Sequence, residues 1–168
     1  QYCDKIYKAK SNIHHSPMVL GAVNSLIDSA MQGPYIDIVG LTSPRVQSLI
    51  NHLCRDQDTY LEVGSYLGST MAAALLGNNL TDAYAVDMWK DTPQPMRDDL
   101  PKLPPTSKQE FIDNMKRVKG DTKVHVFDGD MMTVNLDQIK PIKVMFYDGP
   151  HDADSTAKAI TYFSKVLA

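Results

Sequence analysis

Long apolar runs, clustered positive charge and spaced cysteines are all scarce in this chain, and each scarcity removes a class of function. No apolar run among its 168 residues approaches the ~20 needed to cross a bilayer, and the N-terminus lacks a signal-peptide core. The net charge is −3 and no Lys/Arg cluster reaches the length of a nucleic-acid footprint. Neither a membrane nor a nucleic acid is therefore expected as a partner. Cys3 and Cys54 have no metal or redox spacing, and a reducing cytoplasm is the expected address. Internal repeats and low-complexity tracts are missing too. What remains is ordinary for one globular domain, with 43% hydrophobic and 22% charged residues. The chain opens on Gln1 rather than Met, which suggests a trimmed or partial sequence.

Two nucleotide signatures are missing as well: the G-x-G-x-x-G of dinucleotide folds and the lysine of a phosphate loop. In their place stands Thr59-Tyr-Leu-Glu-Val-Gly-Ser-Tyr-Leu-Gly-Ser-Thr70. An apolar run ends in Glu62, Gly64 and Gly68 bracket a turn, and Met71-Ala-Ala-Ala-Leu-Leu76 continues as a helix. The pattern predicts strand, tight loop and helix. The two glycines would let backbone approach a ligand, and the helix N-terminus would offer it unpaired N–H groups.

Around this unit the chain divides into an arm (1–15), N-terminal helices (16–55) and a core (56–168). Ser16-Pro17 starts one helix, which Gly33-Pro34 stops. Ser43-Pro44 starts a second, with Val46, Leu49, Ile50 and Leu53 as its stripe. Strands are expected at 83–87, 123–127 and 142–147. Ser107-Lys-Gln-Glu110 is a capping box for a helix burying Phe111, Met115 and Val118. The last helix starts near Asp154, with Ala157, Ile160 and Val166 or Leu167 inward. Five of the ten prolines fall in 91–105, which reads as a lid or interface loop. Strands alternating with helices predict an α/β, Rossmann-like parallel sheet with helices on both faces.

In such sheets ligands lie at the carboxyl ends of the strands. Glu62, Asp87, Asp130 and Asp148 all fall there. Any one of them alone reads as a turn residue or helix cap; their shared location is the argument. Asp87 follows Gly64 at close to the ~20-residue offset where an acid meets ribose hydroxyls. Met88 and Trp89 are placed to pack a purine face, with Trp89 equally readable as an anchor beneath the proline-rich loop. Asp130 would sit at the adenine edge or cap the next turn. In Asp148-Gly-Pro-His151, His151 is a candidate general base and Asp148 a candidate ligand for a divalent cation such as Mg2+. The other reading has both capping the last helix. His14, His15, His52 and His125 show no partner spacing.

Leu61–Thr70, Ala85-Val-Asp87, Asp128-Gly-Asp130 and Phe146–His151 occur in the order of the class I S-adenosylmethionine-dependent methyltransferases. Over residues 40–168 the chain most resembles the small-molecule O-methyltransferases acting on macrolide sugars and catechols, including Gly40-Leu-Thr-Ser43 ahead of the glycine loop. The resemblance implies S-adenosylmethionine held by Gly64, Ser65, Gly68 and Ser69 around its methionine part, with Glu62 opening the loop. It places ribose on Asp87, adenine near Trp89 and Asp130, and a small-molecule acceptor near Asp148 and His151. A complete core of that kind has seven strands. About three are lacking here: either the chain is truncated, or the protein is minimal and a partner, for instance a second copy, covers the open sheet edge. The rival readings are an NAD-binding oxidoreductase and a non-catalytic module that keeps the fold.

Overall fold

Four short runs rich in β-branched and aromatic residues build the sheet. In the computed structural model, which describes residues 36–90 and 103–168, β1 (Thr59–Val63), β2 (Asp82–Asp87), β3 (Lys123–Asp128) and β4 (Val144–Tyr147) are all parallel, in the order β3-β2-β1-β4. The expected Rossmann-like sheet is thus observed. Every residue of β1 is buried, as suits a strand flanked on both sides. The arm at 1–15, the helix expected at 16–33 and most of the proline-rich segment (91–102) lie outside the described residues.

Alternation along the strands divides the core in two. On one face Tyr60, Ala83 and Ala85 pack beneath α1 (Pro44–Leu53), α2 (Ser69–Leu75) and α3 (Lys108–Val118). On the other, Leu61, Val63, Tyr84 and Val86 meet Val134, Ile139 and Phe163, the last from α4 (Ala153–Phe163). Local signals explain the helix starts. Ser43 Oγ accepts from Val46 N, Ser107 Oγ from Glu110 N and Asp152 Oδ1 from Ser155 N. All seven residues of α2 are buried, and α1 clamps it: Asn51 Nδ2 donates to Ala73 O at 2.8 Å and Leu76 O at 2.7 Å.

One expectation is corrected, the inward face of the last helix, and one connection is irregular. Between β3 and β4 there is no α-helix but a pair of 3-10 turns, Met131–Thr133 and Leu136–Gln138. Asp130 and Asn135 cap them, each accepting two residues on, a local bond that competes with helix. In α4 the buried side is Ala159 and Phe163, whereas Ala157, Ile160 and Leu167 are exposed. Phe163 is the largest apolar group of the helix and takes the core position. Tyr162 packs edge-on to it and donates to Val134 O at 2.7 Å, which fixes the rotation.

At the end of the sheet where β2 begins, Asp82 is a buried carboxylate joining three segments. His125 Nε2 of β3 lies 2.8 Å from Asp82 Oδ1, Lys140 Nζ binds the other oxygen, and Lys140 N donates to the Tyr84 hydroxyl. Burial opposes that charge, but Lys140, His125 and Thr81 prevail and hold the carboxyl at about 2. His125 therefore has a partner that its sequence spacing concealed. This brace lies at the opposite end of the strands from the candidate site.

Candidate functional site

The site forms where the chain, having built β1, β2 and β3 in one direction, returns to place β4 on the other side of β1. Ladder bonds continue past the strand ends and align the loops. Gly64 N donates to Val86 O at 2.8 Å, Asp148 N to Val63 O at 2.8 Å and Gly129 N to Asp87 O at 3.0 Å. The turns carrying Gly64, Asp87, Gly129 and Asp148 therefore share one edge of the sheet, at a topological switch point.

Glu62, one residue before the end of β1, has its side chain wholly buried. Its Oε2 accepts from the Tyr60 hydroxyl at 2.6 Å, while Oε1 is buried without a partner. Burial pushes this carboxyl up to about 8, against the hydrogen bond from the Tyr60 hydroxyl and with a contribution from the negative charge of Asp148. Ser65 Oγ and Thr42 Oγ1 are also buried and unpartnered. Native interiors seldom tolerate such groups, so three on one strand–turn–helix unit and the segment covering it mark a place for a polar ligand.

The glycines serve the fold before they serve any ligand. Gly64 has φ +88°, and a Cβ there would stand 2.3 Å from Asp148 O; Gly68 has φ +90°, and a Cβ would meet Met115 Cε at 2.5 Å. Backbone of the β4 loop and a side chain of α3 occupy the space a Cβ would need, so packing within the fold is by itself enough to require glycine at both positions. Gly40 is similar, since its Cβ would lie 2.6 Å from Ser69 Cβ, and this contact presses the 36–43 segment over the start of α2. Ser69 Oγ is already taken by Gln47 Nε2 at 2.8 Å.

Past β2, Asp87 is half-buried and draws two loops together. Its Oδ2 accepts from Tyr66 N at 2.8 Å and its Oδ1 from Trp89 N at 2.7 Å. Trp89 Nε1 donates to Tyr66 O at 2.7 Å and its ring rests on Phe111, centroids 5.3 Å apart. Tyr66, at φ +46°, donates its hydroxyl to Pro104 O. Trp89 is thus an anchor between loops, whereas Met88 beside it is 42% exposed. Asp130 is exposed with Oδ1 accepting from Met132 N at 2.7 Å, the capping role.

At the β4 turn, His151 Nε2 lies 3.4 Å from Asp148 Oδ1, and His151 is 74% exposed at its side chain. Burial raises the Asp148 carboxyl above its usual range, with His151 opposing. It is Asp152, not Asp148 or His151, that caps α4. Among the described residues no three His, Cys, Asp or Glu side chains gather as metal ligands. Asp148 and His151 alone do not make a Mg2+ site.

A family model for methyltransferase domains matches residues 61–168, more than half of the chain. The chain belongs to this methyltransferase-domain family. Solved structures agree in fold. The methyltransferase domain is similar to an SAH-bound methyltransferase from Podospora anserina, at 16% identity and TM-score 0.54 over 99% of this chain and 65% of that one. It is also similar to an O-methyltransferase from Bacillus cereus in complex with SAH, at 13% identity and TM-score 0.50 over 96% and 67%. Identities this low establish the fold alone. The domain spans about two-thirds of the length of these relatives. No curated protein matches at the sequence level.

The sequence reading of the methyltransferase site missed Tyr60, Tyr66 and Thr42. Tyr60 was accessible: two residues before Glu62 in a strand, it must share that side chain's face. Tyr66 and Thr42 act through a positive φ and a long-range cover, neither of which spacing reveals.

Proposed function

We propose that this chain is an S-adenosylmethionine-dependent methyltransferase that methylates a hydroxyl of a small molecule. The observation that carries the proposal is the turn at the switch point, where Glu62 Oε1 and Ser65 Oγ are buried and unpartnered between β1 and α2. Family membership and the acid at the end of β2 support it. The residues present fit the cofactor. Glu62, Ser65 and Thr42 line the place for its amino-acid part, with Gly64, Gly68 and Ser69 shaping the turn. Asp87 keeps a lone pair on each oxygen for the ribose hydroxyls after accepting its two backbone N–H bonds. Met88 and Asp130 border the place for adenine.

Bound there, S-adenosylmethionine supplies a methyl carbon activated by the adjacent sulfonium. The protein holds the acceptor oxygen in line with that carbon, and positioning of this kind is worth several kcal/mol, up to about 10 in the best cases. Asp148 and His151 stand at the β4 turn to receive the hydroxyl proton. Asp148 steadies the imidazole, and the imidazole faces solvent, where the proton is passed on. A small acceptor, rather than nucleic acid, suits the net charge of −3. A second copy across the outer edge of β4, unpaired over Val144–Tyr147 among the described residues, would complete the sheet cover.

Calorimetric titration with S-adenosylmethionine and S-adenosylhomocysteine tests the reading. Micromolar binding that is lost in Asp87→Ala is the expected result. A folded chain that binds neither overturns it and brings forward the non-catalytic module. An Asp87→Ala variant that binds as tightly as the parent removes the ribose assignment.

A further inference from the structure

Glu62 meets no cation. Among the described residues no Lys, Arg or His forms an ion pair with it, its Oε1 has no hydrogen-bond partner, and its side chain is fully buried. The groups around it are Tyr60 from β1, Ser65 and Thr70 from the turn and α2, and Asp148 from the β4 loop. Cys54, just past α1, is buried, and burial first, then the charge on Glu62, pushes its thiol up to about 12. None of these carries positive charge. A carboxyl, a thiol and a phenol share one interior region, with the partly exposed Asp148 carboxyl at its border. A carboxylate there would lack both water and a counter-ion, a cost the protein avoids by keeping the proton.

We propose that Glu62 couples cofactor binding to proton release: its carboxyl is neutral in the empty site and gives up its proton when the α-ammonium of the cofactor's amino-acid part arrives beside it. The inference rests on the cofactor reading above and adds a pH dependence to the same site. The ammonium supplies the missing counter-ion, and the carboxylate accepts from it through the oxygen that is otherwise unpartnered. Charge balances, because the neutral acid plus ammonium becomes carboxylate plus ammonium with one proton passed to buffer.

The sign of the linkage follows from the two titrating groups. Below about pH 7 the empty site is protonated and the free ligand's amine is charged, so binding releases about one proton and weakens about tenfold for each unit of acidification. Above about pH 9 the carboxyl is ionised and the free amine is neutral, so binding takes up about one proton. Affinity is greatest between these limits.

The test is calorimetry of the whole chain with S-adenosylhomocysteine at about pH 6.5, in two buffers of different ionisation enthalpy, which counts the protons released. About one proton is expected. Methylthioadenosine, which keeps the adenosine and thioether but has no amino-acid part, is expected to release none. Glu62→Gln is expected to abolish the release. If that variant does not fold, Tyr60→Phe removes the hydroxyl that favours the carboxylate and should move the affinity maximum to higher pH. S-adenosylhomocysteine binding without proton release overturns this inference and leaves the cofactor reading standing, as does equal release with methylthioadenosine. A folded chain that binds neither ligand overturns both.

Discussion

Replacing Glu62 by glutamine alters the stability of the ligand-free protein in a way that depends on pH, and the size follows from burial. The carboxyl is pushed from an ordinary value of 4.5 up to about 8 in the folded state. Between those limits the folded chain holds a proton that the unfolded chain has lost. The contribution is complete below the unfolded value and disappears as pH rises through the folded one. Each pH unit inside the window costs about 1.4 kcal/mol, so the parent loses about 3 kcal/mol between about pH 5.5 and about pH 8.5 from this group alone. Glutamine fills nearly the same space, can still accept from Tyr60, and does not titrate. Urea unfolding of parent and Glu62→Gln across that range isolates the effect as the difference between the two stability profiles. The variant should gain on the parent as pH rises, by about 3 kcal/mol at the alkaline end. A constant offset would report only the packing of the amide. Profiles that stay parallel within about 0.5 kcal/mol would show that Glu62 is already ionised in the folded protein, and the reasoning from burial would fail.

Other substitutions separate the roles of single residues. Gly68→Ala should destabilise through both the left-handed backbone, about 1–2 kcal/mol, and the clash with Met115 Cε and the Phe111 ring, and in thermal unfolding it should cost less when introduced into Met115→Ala than into the parent, while the backbone part remains. Gly64→Ala meets the Asp148 carbonyl instead, so no side-chain truncation should rescue it in thermal unfolding. Trp89→Phe keeps the ring on Phe111 but loses the bond to Tyr66 O, and should cost about 1 kcal/mol in urea unfolding. Asp82→Asn should flatten the acid limb of the stability profile. The parent's contribution from Asp82 is present above 3.8 and is lost as pH falls towards about 2, and acid titration by circular dichroism would show it.

Much of the fold could be read from the chain because its signals are local. Ser43-Pro44 and Ser107–Glu110 mark helix starts by chemistry confined to one turn, and the helices begin there. The strand ending at Glu62 and the acids at strand ends follow from period and position. The misreadings have the opposite character. The inward side of α4 is decided by which residue fills a hole in the sheet's second face, and Ala157 with Ile160 is as good a stripe as Ala159 with Phe163 until that hole is known. The packing that requires glycine at 64 and 68 is hidden from the sequence because the atoms concerned lie 84 and 47 residues further along the chain. The partners of His125 and Trp89 were hidden for the same reason.

The placing of β4 beside β1 also bears on how the chain folds. Thr59 and Pro141 are joined across 82 residues, whereas Thr81 reaches back to Asp58 across only 23. The shorter closure costs less chain entropy, so β1, α2 and β2 are expected to assemble early and β4 to dock late. The seam between β1 and β4 is the one that brings Asp148 against Gly64. The pocket is therefore among the last parts to form, and a ligand bridging that seam would slow unfolding chiefly by holding the latest strand in place.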